Sequence, residues 1–125
     1  MSDQLVNLVK KKFFVSNKWC LVIGDLILDQ YIFGDVERIS PEAPVPVIKK
    51  NKQHNRLGGA GNVALNLLGL GVKSLLVGNI GKDTNGKVFS NLCKEHNLST
   101  NGLIKDNRPT TSKTRVVAGH HQIAR

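Results

Sequence analysis

Two carboxylates four residues apart, Asp25 and Asp29, stand in the run "IGDLILD". They follow a continuous apolar stretch from Trp19 whose short length suits a strand buried on both faces and ending at Gly24 and Asp25. Ligands of α/β sheets bind beyond the carboxyl ends of the strands, and a carboxylate placed there accepts hydrogen bonds from two adjacent sugar hydroxyls. The same acids could instead cap a turn or pair with Arg38 or Lys49. Further on, "NRLGGAGNVALNLLGLG" runs from a basic approach through Gly58, Gly59 and Gly61 into an apolar helical pattern. Glycines let a ligand approach the backbone closely. A helix N-terminus adds free N–H groups and a partial positive charge. Asn62 stands in the first turn, where an amide is a poor helix former but both donates and accepts hydrogen bonds. That suits a polyol better than a phosphate; a packing turn without ligand is the alternative.

The stretch from Gly59 to Ala64 matches G-x-G-x-x-A, the dinucleotide fingerprint, in form only. That fingerprint needs an apolar strand directly before its glycines, and here "KKNKQHNRL" precedes them. It also needs an acid at the end of the next strand, where this chain has Gly78 and Asn79. A P-loop fails for want of Gly-Lys-Ser/Thr.

The elements that must position these residues follow from pattern. Leu5, Leu8, Val9 and Phe13 give a short amphipathic helix over 4–14, outside the main sheet. Residues 30–38 and 45–50 are β-rich and joined by "SPEAP"; Pro44 and Pro46 cannot donate to a ladder, so the second piece is an edge or projecting strand, and the two form a flap. A helix follows the glycines, with Val63, Leu67 and Leu70 on one face and Ala64 and Leu68 beside them, stopping at residues 69–71. "VKSLLVGNIG" is a second buried strand. A second helix spans 83–97, capped by Asp83 or Thr84, with Val88, Leu92 and His96 near one face. A short strand within 98–106 and one or two alternating strands after Pro109 complete the order. Alternation of strand and helix argues for an α/β domain with a largely parallel sheet.

The chain has 125 residues, 40 % of them apolar, enough for one small domain. No apolar run approaches the roughly 20 residues of a membrane span, and the N-terminus lacks a secretory pattern. Cys20 and Cys93 lie apart in apolar surroundings and read as reduced and buried; a cytoplasmic protein is expected. The formal charge of +9 invites a nucleic-acid partner. The basic residues are scattered and carry no interleaved aromatics, so attraction of a phosphorylated small molecule accounts for the charge as well.

Taken in order, "LVIGDLILDQYIFGDVERISPEAPVPVIK", "LGGAGNVALNLLGLG", "LLVGNIGKDTNGK" and "PTTSKTRVVAGHHQIAR" resemble the start of a ribokinase-like (PfkB) carbohydrate kinase. More narrowly, they are similar to the kinase half of the bacterial bifunctional heptose 7-phosphate kinase / heptose 1-phosphate adenylyltransferases. The resemblance covers residues 19–125; residues 1–18 read as an N-terminal helical extension. It implies an α/β three-layer sandwich of which the N-terminal part is present, with a β-flap at about 30–50 acting as lid and as a homodimer clasp. It implies transfer of the γ-phosphoryl group of ATP-Mg2+ to O1 of D-glycero-β-D-manno-heptose 7-phosphate, on the way to ADP-heptose and the lipopolysaccharide core. By position, Asp29 and Asn62 should hydrogen-bond the sugar, and Gly58 and Gly59 should let it approach the helix start. Lys113 and Arg115, two apart on a strand and so on one face, are candidates to face the sugar or its phosphate, against a plain surface role.

One departure matters. The family's catalytic base is the aspartate of a "GAGD" motif. Here "GAG" occurs at residues 59–61 and is followed by Asn62, so no catalytic residue is expected in this chain. The resemblance likewise implies that the ATP pocket and magnesium-linked acids lie past residue 125, leaving a chain that is inactive alone and binds neither. The end of the chain inside a strand pattern reads as an incomplete domain. The other readings are a non-catalytic sugar-binding or dimerising module, and a kinase for another sugar.

Overall fold

The computed structural model describes residues 3–13, 19–119 and 121–125. Its order is α1 (Asp3–Phe13), β1 (Trp19–Ile23), β2 (Leu26–Ile39), β3 (Pro46–Gly59), α2 (Ala60–Gly69), β4 (Lys73–Gly81), α3 (Thr84–Glu95), β5 (Leu103–Asp106), β6 (Ser112–Ala118) and β7 (His121–Ala124). The helix expected over 4–14 is α1, save for its last residue, which lies outside the described residues. No helix among the described residues is long and apolar enough to cross a membrane.

Two sheets form instead of one. The first is parallel, in the order β1-β4-β5; the second is mixed, in the order β3-β2-β6-β7, with β2 and β6 parallel and the other pairs antiparallel. The chain passes between them at Gly24 and Asp25. Asp29 therefore stands within β2 and not beyond a strand end. The flap is correspondingly longer than the two β-rich pieces predict: β2 and β3 run paired from Leu26 opposite Gly59 out to Ile39 opposite Pro46. Register shifts after Phe33 and after Val36 bend the hairpin. Gly34 sits at the first bend, where an added Cβ would run into the Lys49 carbonyl.

The core is built from Val22, Leu26, Leu28, Leu57, Leu76, Ile80, Phe89 and Cys93, with Ala64 and Leu98. α2 packs through its smallest residues, Gly61 and Ala64, because Phe89 fills the space beside Gly61. Val63 and Leu70, which the periodicity groups with the packing face, are consequently exposed. The helix ends in a Schellman motif: Val72 N–H donates to Leu67 and Gly71 N–H to Leu68, with Gly71 at φ +77°. α3 is capped by Asp83, which accepts from Gly86 N–H at 2.7 Å. It buries Phe89 and Cys93, and burial pushes the Cys93 thiol up to about 11.

The expectation that the first apolar run is buried on both faces does not hold among the described residues. Val22 is buried and Cys20 packs against the core, whereas Trp19, Leu21 and Ile23 are 64 %, 57 % and 70 % exposed. Alternation sends the second set to the opposite side of the sheet, where the described residues leave them more than half exposed.

Candidate functional site

Strand register gathers the candidate side chains. Asp29 lies opposite Arg56 of β3 and Lys113 of β6, and Tyr31 lies opposite His54 and Arg115. Side chains alternate along each strand, so these six share one face of the mixed sheet while Leu28 and Leu57 point into the core. Asp29 Oδ1 accepts a hydrogen bond from Arg115 Nη1 at 2.9 Å, and each side chain is only 21 % exposed. That hydrogen bond from Arg115 to the carboxylate raises the arginine's pKa further. The pairings with Arg38 or Lys49 are not made: Lys49 reaches Glu37 at 3.4 Å on the flap, and Arg38 lies farther out along β2.

The glycines serve this arrangement at close quarters. The space a Cβ on Gly58 would need is filled by the Asp29 carboxylate. Gly59 is the N-cap of α2 at φ +56°, a conformation that favours glycine, and its Cβ position is closed by the Asp25 carbonyl. That carbonyl also accepts from Ala60 N–H at 2.9 Å, and no side chain caps the helix. Asn62 is exposed in the first turn and makes no hydrogen bond to Asp29, Lys113 or Arg115. The structure thus brings Asp29, Gly58, Lys113 and Arg115 onto one face, with Gly59 at its edge, and leaves Asn62 on the adjoining helix.

Sequence reasoning passed over Tyr31 and Arg56. The Arg115 guanidinium lies 5.0 Å and that of Arg56 5.5 Å from the centroid of the Tyr31 ring, so one aromatic ring serves two cations. Phe33 continues the row, 6.4 Å from Tyr31 and 5.8 Å from His54. The signal was present as alternation: Asp29, Tyr31 and Phe33 against Lys52, His54 and Arg56.

A second feature lies at the carboxyl ends of the parallel strands. A cavity of about 330 Å³ opens there, lined by Gly24, Asp25, Asn79, Asp106, Arg108 and Thr111 among others. Arg108 holds the Asp106 carboxyl below the usual carboxylate range, through Nε at 2.9 Å and its own backbone N–H at 2.8 Å. Asn79 adds a hydrogen bond at 3.1 Å. Below it, Thr110 locks the connection into β6: its hydroxyl and N–H both donate to Asp83, at 2.7 and 2.8 Å.

Comparison with known proteins gives this two-sheet α/β chain its family. Residues 17–124 match the pfkB family carbohydrate kinases, and the chain belongs to that family. Among curated proteins it is similar to the bifunctional protein HldE of Methylobacillus flagellatus, 44 % identical over the whole chain and 26 % of that protein. It is also similar to that of Helicobacter pylori strain P12, 50 % identical over 86 % of the chain and 24 % of that protein. The chain thus spans about a quarter of the length of these curated relatives. Among solved structures it superposes on phosphofructokinase-2 from Escherichia coli with a TM-score of 0.63 at 17 % identity, over 88 % of this chain and 35 % of that one. It superposes on ribokinase from Cryptococcus neoformans with 0.56 at 23 %, over 82 % and 31 %. These structural likenesses establish the ribokinase-like α/β fold.

Proposed function

We propose that this chain is the acceptor-binding, N-terminal part of an ATP-dependent kinase that phosphorylates D-glycero-β-D-manno-heptose 7-phosphate at O1. Its product would feed ADP-heptose and lipopolysaccharide core synthesis in the cytoplasm. Residues 19–125 form the kinase portion and residues 1–18 an extension. The observation that carries this reading is the Asp29–Arg115 pair wedged against Gly58, beside a helix start that no side chain caps. Similarity to two bifunctional proteins HldE supports the heptose branch over other sugars.

In this reading Asp29 accepts hydrogen bonds from sugar hydroxyls through lone pairs that Arg115 leaves free, and Arg115 fixes its rotamer. Asn62 and the free N–H groups of α2 contact the sugar from the helix, and Lys113 faces it from β6. The flap closes over the sugar and excludes water. Its tip exposes Val36, Ile39 and Val45, apolar groups that support its use as a homodimer clasp.

In this reading the described residues do not hold the nucleotide and its magnesium. Asp29 and Asp106 are each engaged by an arginine, and no three metal-ligating side chains converge among the described residues. ATP and Mg2+ belong, in this proposal, to residues beyond this chain, and the share of catalysis that falls to Asp29 and its neighbours is acceptor positioning. The uncovered face of Trp19, Leu21 and Ile23 supports the packing of further chain of the same domain there.

The test is ADP release by the full-length protein. Heptose 7-phosphate should drive it, and fructose 6-phosphate and ribose should not. Release on one of those sugars in preference to heptose 7-phosphate would reject the substrate assignment.

A further inference from the structure

We propose that Arg56, held over Tyr31, recognises the phosphate that the acceptor sugar already carries, while Arg115 is a positioning residue for Asp29. This rests on the reading of the chain as a sugar-phosphate kinase and divides the labour within that site.

One ordinary cross-strand pairing is not made. Arg56 is the direct partner of Asp29 in register, and opposite charges so placed commonly pair. Asp29 is instead taken by Arg115 from the other neighbouring strand. Arg56 turns to the Tyr31 ring and pairs with no carboxylate among the described residues; Lys113, the other register partner of Asp29, pairs with none either.

The charges on this face are therefore unequal in kind. Arg115 is largely shielded and neutralised by its acid. Arg56 and Lys113 flank the same carboxylate with their charge uncompensated, and His54 borders Arg56 on β3. A guanidinium held over an aromatic ring spends no N–H group on a carboxylate there, and its planar fork matches a phosphate bidentately. Two guanidinium groups also share Tyr31, arriving from the strands on either side of β2. A dianion placed against Arg56 relieves the repulsion between them. A neutral sugar would not, so the arrangement selects an acceptor that is already phosphorylated.

The experiment compares kcat/KM of the full-length protein for heptose 7-phosphate and for the same heptose without phosphate. In Arg56→Gln the ratio of the two should fall by about 10- to 100-fold, the worth of a charge-assisted bidentate contact, mainly through KM for the phosphorylated sugar. Arg56→Lys should fall between wild type and Arg56→Gln, because it keeps the charge and loses the fork. Arg115→Gln should depress both substrates and leave their ratio within about threefold, since Asp29 serves the sugar hydroxyls common to both. If wild type prefers the phosphorylated sugar and Arg56→Gln and Arg56→Lys keep that preference, the assignment to Arg56 is overturned and the kinase reading stands. If wild type prefers the unphosphorylated sugar, both fall together. A ratio lost in Arg115→Gln and kept in Arg56→Gln would transfer the phosphate to Arg115 and refute the division.

Discussion

Replacing Gly58 by Ala separates a structural from a functional role of the glycine-rich joint. The added Cβ would overlap the Asp29 carboxylate oxygen Oδ2 and stand 3.0 Å from its Cγ and 3.1 Å from the Ile27 carbonyl oxygen. Relaxed carbon–carbon contact is about 3.5–4.0 Å, so the carboxylate must withdraw by roughly 0.5–1 Å. A side-chain end can do so, and the fold should survive with a cost of about 1–3 kcal/mol for overpacking. The withdrawal breaks the 2.9 Å contact with Arg115 and moves the acceptor group of Asp29. Misplacement by about 1 Å costs up to about 100-fold in rate. We therefore expect Gly58→Ala in the full-length protein to lose about 10- to 100-fold in kcat/KM for heptose 7-phosphate, read by coupled ADP release, while circular dichroism still reports a cooperative melt. Gly69→Ala is the control: nothing lies within 4 Å of its Cβ position, and it ends α2 away from the site. A Gly58→Ala protein with kcat/KM within about twofold of wild type would refute the reasoning, for Asp29 would then not need the position it holds.

Three further outcomes follow from the packing. Phe89→Ala removes a fully buried ring that touches Gly61, and should cost about 3–5 kcal/mol in urea unfolding. Asp83 is held below the usual carboxylate range by the Thr110 hydroxyl, then by the N–H groups of Thr110 and Gly86. Its contribution is therefore present above pH of about 4 and lost as pH falls through the lower folded value. Asp83→Asn should melt at a lower temperature than wild type at pH 7, and the gap should narrow as the pH is taken toward about 2. Burial raises the Cys93 thiol to about 11, so at a pH of about 8 iodoacetamide should modify Cys20 first and Cys93 at least about tenfold more slowly, by mass spectrometry.

What could be read from the sequence was what is local. The period of the apolar residues located α2 and α3, the pair Asp83 and Thr84 contained the cap of α3, and the proline-marked connection announced a hairpin. The β2–β3 hairpin proved longer than its β-rich core because polar residues, Lys52 to Arg56, continue the strand with an exposed face. A window scored for apolarity sees only approach loop there. Burial of the first strand was misjudged for a related reason: an apolar run states that both faces prefer cover, not that cover is at hand. Trp19, Leu21 and Ile23 express that preference and still stay more than half exposed, with only a lysine, Lys73, over the Trp19 ring among the described residues.

The site was partly legible for a different reason. Asp29, Gly58, Lys113 and Arg115 were each singled out by motif or by a spacing of two, yet their relation is long-range: Arg115 reaches Asp29 across 86 positions of sequence. Nearer cations, Arg38 and Lys49, were equally plausible partners on distance along the chain. Register decides against them. The parallel pairing of β6 with β2 sets Lys113 beside Asp29 and Arg115 beside Tyr31, and Arg115 then reaches back to the carboxylate along the same face. The consequence reaches the basic charge of the whole chain. A surplus of scattered lysines and arginines carries little information by itself. Once register has committed Arg115 to Asp29, it leaves Arg56 uncompensated beside that acid and against an aromatic ring, and there the surplus acquires a specific anion to select.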